Sequence, residues 1–369
     1  MVGDGGGRGQ GRTSAGRSPA FALDHKAIVS NRLIISPTEA APANHASTIV
    51  ELNGGGLLAA WFAGEKEGAS GVSIQVVSWD PDTEIWSSPE VVASDPVYPC
   101  WNPVLYQNAH GEVQLYYKVG PSPREWVGFV KRSTDEGRSW GPVEALPKGF
   151  LGPIKNKPIE LSDGTLLSPT SLEEADYRWT CWIESSQDQG KTWEKRYGPI
   201  DFNGRIIQPT IWEGRDGEVR MLARSRAFKV IMAKSTEHGT KWGEPFATDV
   251  PNPNAGVDAV ALPDGRVLLV YNPSKIRGFK GRGAMAVALS EDDGDSWSKV
   301  FTLEDTPEGE AVCEHLDSDR LLSGCHEYSY PSIIVASNGL VHITYTYDRS
   351  NVKHVVLDPA KLVPEKADE

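Results

Sequence analysis

The chain has 369 residues, 39% of them apolar, which fits one large folded domain better than two or three of average size. A formal net charge of −13 argues against nucleic acid as a partner, though a local basic pocket for an anionic small ligand can exist on an acidic surface. No apolar run approaches the length of a membrane-spanning helix, and the four cysteines (Cys100, Cys181, Cys313, Cys325) show neither a CxxC pair nor a Cys/His metal spacing. Isolated buried thiols are the default reading for them, and a Cys313–Cys325 bridge is possible.

Residues 1–20 are Gly, Arg and Ser with almost nothing apolar and read as disordered. They lack the apolar core of a secretory signal, so a cytoplasmic location is expected, with their Arg and Ser content as a faint organelle-targeting signal. From residue 21 to residue 363 the chain reads as a single domain, followed by a charged tail, 364–369.

Two motifs repeat through that domain. The first is a turn of the form Asn/Asp-Gly or Gly-Gly between short apolar runs. It occurs at Gly54-Gly55, His110-Gly111, Asp163-Gly164, Asp216-Gly217, Asp264-Gly265 and Asn338-Gly339. Such turns signal hairpins, because Gly and Asn tolerate the positive φ that tight connections need. The second is a box ending in tryptophan: Ser133–Trp140, Ser186–Trp193, Ser235–Trp242 and Ser290–Trp297, with a longer version at Ser78–Trp86. The spacing, near 50 residues, is that of a four-stranded propeller blade. Each repeat reads as strand, glycine turn, strand, strand, box, strand. Six turns against five boxes predict a six-bladed, all-β propeller. The sixth blade's outer strand would come from the N-terminus, about Ala27 to Ser36, leaving no open sheet edge.

The boxes are best read as structural. Asp accepts backbone N–H bonds across the hairpin, Gly supplies positive φ, and Trp packs between sheets. A catalytic site does not need five copies. The site is expected instead where the innermost strands enter the central channel. The polar residues there are His45, Asn102, Lys157, Gln208, Asp258 and Tyr330, seven to ten residues ahead of their turn glycines. Arg224, Arg226, Arg282 and Tyr328 fall near the same mouth in the repeat pattern, with Lys118 and Lys155. Two guanidinium groups aimed at one spot suit a carboxylate, whose two oxygens match their planar donors. The reading assigns no cofactor and no metal; no carboxylate cluster of the kind calcium needs is visible. Oligomeric state is not legible.

With these boxes and turns the chain, over about residues 27–358, resembles the sialidase (neuraminidase) superfamily with Asp-box repeats, and its divergent sialidase-like members in particular. The resemblance implies three arginines that hold a substrate carboxylate, and Arg224 and Arg282 match two of them. His45 stands where the first-blade arginine would be. Tyr330 matches the tyrosine nucleophile. Gln208 stands where a glutamate would activate it, and an amide cannot act as a base. Glu65 or Glu67 lies near the place of the acid.

Three functions follow as expectations. One is a retaining exo-glycosidase releasing a terminal acidic sugar, sialic acid or a related ulosonic acid. Tyr330 would attack, Arg224 and Arg282 would clamp, and Glu67 or His45 would protonate the leaving oxygen. Another is a uronate-specific lyase with His45 and Tyr330 as base and acid, and with Arg224, Arg282, Lys157 and Asn102 holding charge. The third is a non-catalytic glycan-binding propeller. Each takes an acidic sugar or oligosaccharide as its partner.

Overall fold

The computed structural model describes residues 25–35, 38, 41–313 and 325–363. The expected disordered segment 1–20 and the tail 364–369 lie outside the described residues. Six antiparallel sheets follow one another around an axis. Blade I is built from Ala43–Glu51, Leu57–Gly64 and Ser73–Asp80, and both Ile85–Trp86 and Glu90–Ala93 pair with its third strand. Blade II comprises Cys100–Gln107, Val113–Val119, Val127–Ser133 and Glu144–Ala145. Blade III comprises Ile159–Glu160, Leu166–Glu173, Trp179–Ser186 and Lys195–Ile200. Blade IV comprises Ile206–Glu213, Val219–Ser225, Lys229–Ser235 and Phe246–Pro251. Blade V comprises Asp258–Ala261, Val267–Tyr271, Ala284–Ser290 and Ser298–Asp305. Blade VI comprises Tyr328–Val335, Val341–Tyr347 and Asn351–Leu357, and its outer strand is Ile28–Leu33 from the start of the domain. The expected closure is therefore present, over a slightly shorter strand than Ala27 to Ser36.

Strand direction sorts the two motifs to one rim. The glycine turns end the first strand of each blade, and the boxes follow the third, which runs the same way. In three boxes the bonding is the same. Ser186 donates to Asp188 and accepts the Gly190 N–H at 2.9 Å, while Asp188 accepts the Thr192 N–H at 2.8 Å and its hydroxyl at 2.6 Å. The boxes at Ser133 and Ser290 repeat it. In the fourth, Glu237 replaces Asp and turns to Lys241 instead, but the Ser235–Gly239 bond remains. Gly190 and Gly294 abut Tyr116 and Trp212 of the preceding blades so closely that a Cβ would clash, so the glycines serve packing as well as φ. Apolar side chains fill the spaces between adjacent blades; Leu58, Ile74, Leu105 and Leu115, for example, form one cluster between blades I and II.

Cys313 and Cys325 form a disulfide, and a short parallel bridge joins Ala311–Val312 to Cys325–His326 beside it. Cys100 and Cys181 are free and buried.

Candidate functional site

Four innermost strands share one irregularity at the rim opposite the boxes. Their ladders break at His45/Thr48, Trp101/Val104, Ile207/Thr210 and Ser329/Ser332. Inside each break one non-glycine residue takes positive φ: Ala46 at 59°, Asn102 at 37°, Gln208 at 54° and Tyr330 at 54°. The prolines that follow three of them fit here, because a bulge asks for no ladder N–H at that position. Left-handed backbone at a bulky residue costs on the order of 1–3 kcal/mol and persists only where the surroundings enforce it.

Blade III supplies part of that enforcement. Its first strand is short, and the preceding Lys155-Asn156 crosses the axis. Lys155 Nζ donates to Pro331 O at 2.6 Å and Val257 O at 3.1 Å, and Asn156 Nδ2 donates to Gln208 O and Pro209 O at 3.2 and 3.0 Å. This dipeptide therefore ties down the bulges that carry Gln208 and Tyr330. Gly256 leaves room for it, since a Cβ there would lie 2.7 Å from Lys155 Cε. Burial, opposed by Asp258 and aided by Lys157 and Arg224, brings Lys155 down to about 7.

The Tyr330 hydroxyl is the centre of the cluster. Arg224 Nη1 donates to it at 2.8 Å and Gln208 Nε2 at 3.2 Å, and Arg224 Nη1 also donates to Gln208 Oε1 at 3.1 Å. Asn254 Oδ1 fixes Arg224 Nε at 2.9 Å. The Arg282 guanidinium lies 5.8 Å from the Tyr330 ring centre, as does that of Arg224. The His45 ring centre is 4.3 Å from that of Tyr330. Thr346 Oγ1 meets His45 Nδ1 at 2.8 Å, while Nε2 has no hydrogen-bond partner among the described residues. Burial, then the charges of Arg349, Arg282, Arg224 and Lys155, hold His45 well below its ordinary value, so it is neutral at physiological pH.

Two residues that the sequence reading missed complete the cluster. Glu327 is fully buried, and Arg349 comes from the hairpin Asp348-Arg349-Ser350 of blade VI. Glu327 Oε1 accepts from Arg282 Nη1 at 2.9 Å and its Oε2 from Arg349 Nε at 2.8 Å. Burial alone would raise the Glu327 carboxyl, but the two guanidiniums bring it down to about 2. Glu67 joins at the edge, 2.7 Å from Arg349 Nη1, whereas Glu65 is exposed. Three guanidiniums and an ammonium thus face two carboxylates around a tyrosine, and the excess is positive.

The remaining predicted residues lie elsewhere or at the margin. Lys157 and Asp258 pair at 2.7 Å, and both line a 450 Å³ cavity bounded by the far ends of the inner strands. They stand two residues further along than the bulge position and so belong to the next layer down the channel, about 7 Å deeper. The Lys118 ammonium is buried against Pro153 O. Tyr328 is buried in the core, its hydroxyl 3.1 Å from His326 Nδ1, and does not join the cluster. Arg226 sits at the rim with its guanidinium 3.3 Å from the Trp179 ring centre. Asn102 is buried at the register position of Gln208 and Tyr330.

A family model described as a BNR repeat-like domain matches residues 55–343. The chain belongs to this family. Among curated proteins, this BNR repeat-like chain is similar to the sialidase of Micromonospora viridifaciens, 26% identical over 259 residues. That match covers 56% of this chain and 37% of the relative, so the chain spans well under half of that protein. Among solved structures it superposes on a Dyadobacter fermentans protein of unknown function with a TM-score of 0.69 at 16% identity, covering 89% of this chain and 98% of that one. The NanB sialidase of Streptococcus pneumoniae gives 0.65 at 15% identity, with 90% and 71% covered, and the Trypanosoma rangeli sialidase 0.67 at 13%, with 90% and 60% covered. The BNR repeat-like fold is thus that of the sialidase propellers.

Proposed function

We propose that the protein holds a terminal acidic sugar by its carboxylate at Arg224 and Arg282 and releases that sugar with Tyr330 as nucleophile. The observation that carries this reading is the Tyr330 hydroxyl, 2.8 Å from Arg224 Nη1 and, among the described residues, without a carboxylate hydrogen-bonded to it. A neutral phenol can approach an anomeric carbon beside a substrate carboxylate where a carboxylate nucleophile would be repelled. As the Tyr330 oxygen bonds to the anomeric carbon and the glycosidic bond breaks, the phenolic proton would pass by way of Glu67 or His45 to the leaving oxygen; water would then cleave the glycosyl–Tyr330 bond and restore the phenol. Gln208 can orient the phenol but cannot take its proton. Glu67 and His45 are the proton carriers tied to the cluster. The sialidase similarity of fold and sequence supports a glycan as the partner.

One observation favours a second reading. A neutral His45 packed against Tyr330, with no hydrogen-bond partner at Nε2 among the described residues, can abstract a proton beside a uronate carboxylate in the tautomer whose Nδ1 donates to Thr346 Oγ1, with the arginines holding the enolate charge. A panel of acidic-sugar glycosides, sialic acid and uronates included, decides between them. Released acidic sugar with a glycosyl adduct on Tyr330, lost in Tyr330→Phe, supports hydrolysis. New ultraviolet absorbance from an unsaturated sugar supports elimination. Binding without turnover, unchanged in Tyr330→Phe, leaves a glycan-binding propeller and removes both enzymatic readings.

A further inference from the structure

We propose that the groove between blades II and III is a subsite for a second sugar carrying an acidic group, the neighbour of the unit held at Tyr330. The inference rests on the reading of Tyr330 and Arg224 as the terminal-sugar site. The groove measures about 470 Å³, within the range that encloses a small ligand. It opens on the same rim as Tyr330, where the second strands of the blades end.

Its lining has the chemistry of an anionic sugar site. Trp126 and Phe150 supply aromatic surface, and Arg124, Lys148 and Arg196 supply charge against the one lining carboxylate, Glu173. Arg196 carries the sharper signal. Its guanidinium is 4.5 Å from the Trp182 ring centre and Nη1 donates to Gly149 O at 2.8 Å, which holds it rigid. Nε and Nη2 are buried yet find no hydrogen-bond partner among the described residues. The nearest carboxylate, Glu184, is 3.8 Å away and already accepts the Leu151 and Gly152 N–H groups. Nε therefore keeps an ion-pair partner in Glu184, and Nη2 is the guanidinium donor with no partner among the described residues; such a donor in the groove wall fits an incoming carboxylate or sulfate.

The groove is also continuous with the central cluster. Glu173 stands opposite Trp179 in the ladder of blade III. The Trp179 ring centre lies 5.6 Å from the Arg224 guanidinium and 3.3 Å from that of Arg226. Arg226 Nη1 donates to Tyr177 O, and the exposed Tyr177 ring is covered by Arg124 at 4.3 Å. An alternation of guanidinium and aromatic groups therefore leads outward from Tyr330, the pattern that lets sugar rings stack while their acid groups are bound.

The test is calorimetric binding of three ligands: an acidic monosaccharide, a disaccharide whose second unit is also acidic, and the same disaccharide with a neutral second unit. The wild-type protein, Arg196→Gln, Arg124→Ala and Arg224→Ala are compared, with Arg124→Ala carrying the test should Arg196→Gln fail to fold. The doubly acidic ligand is expected to bind about tenfold or more tighter than the other two, and each groove variant to lose that advantage only. If wild-type affinity is the same for all three, or the groove variants weaken all three alike, the subsite is overturned while the terminal-sugar site stands. If the monosaccharide does not bind, or Arg224→Ala leaves it unaffected, while the doubly acidic ligand still depends on Arg196, the terminal-sugar reading falls and the groove remains. Failure of every ligand to bind overturns both.

Discussion

Glu327 and Arg349 face each other in a buried contact of 2.8 Å, and the same carboxylate holds Arg282 at 2.9 Å. One anion thus sets the spacing of two guanidiniums from different blades. Removing its charge leaves Arg282 buried without a carboxylate partner among the described residues and Arg349 with only Glu67 at the edge, which costs far more than loss of an exposed pair would. Glu327→Gln is expected to lower stability by about 3 kcal/mol or more in chemical denaturation and to spread the site. A variant as stable as the wild type would show that the arginines do not rely on Glu327.

Arg224 is expected to read the charge of the ligand. Arg224→Ala should weaken an acidic sugar by about tenfold or more while changing its methyl ester far less, since only the carboxylate uses the charged donors fully. Titration of both ligands against both proteins measures this directly. Equal losses for acid and ester would refute the clamp.

The boxes should act on stability alone. Ser186 is fully buried, and Ser186→Ala leaves the Gly190 N–H without its acceptor. A loss of roughly 1–3 kcal/mol is expected, with sugar affinity of the folded protein unchanged. Loss of binding at an unaltered melting temperature would mean that a box contributes to the site.

Acid should loosen the protein well above the carboxylate range. His342 and His354 are buried in blade VI with Nδ1 and Nε2 3.0 Å apart. Burial lowers His342 to about 4, and burial together with His342 and Arg32 lowers His354 to about 3. Unfolded, each protonates near 6.5. Between those values the unfolded chain binds more protons, so stability rises with pH. It is fully present above about 6.5 and drains away as pH falls toward 4. Denaturation midpoints measured from pH 8 to pH 4 should begin to drop near 6.5, and His354→Gln should flatten the slope. A flat profile down to pH 5 would sink this assignment.

The propeller was legible because its signals are local. Glycine turns and boxes report on hairpins a few residues long, and their count gave the blades and the closing strand. The site was legible only in part. Tyr330, Gln208, Arg224, Arg282 and His45 lie together in the structure. Lys157 and Asp258 do not join them, because the inner strands keep a constant offset of nine residues from the turn glycine. Holding to that offset gives Ala46, Asn102, Lys155, Gln208, Gly256 and Tyr330, and so points to Lys155 and to the glycine that admits it. Choosing the nearest polar residue instead moves one layer down the channel. Glu327 and Arg349 left no repeat signal, since a residue just ahead of the last blade's first strand and a residue in its hairpin tip meet at the centre only through tertiary packing.

The latch between Ile28–Leu33 and Asn351–Leu357 has a consequence for biogenesis. During synthesis the first strand emerges long before its partner exists, so it waits as an unsatisfied ribbon while five blades assemble. Ring closure is then the step with the greatest sequence separation, and it is expected to be late and slow. Until it occurs the sixth blade presents a bare edge, open to the same strand of another nascent copy, and exchange of this ribbon between copies is the natural failure mode of the molecule at high concentration.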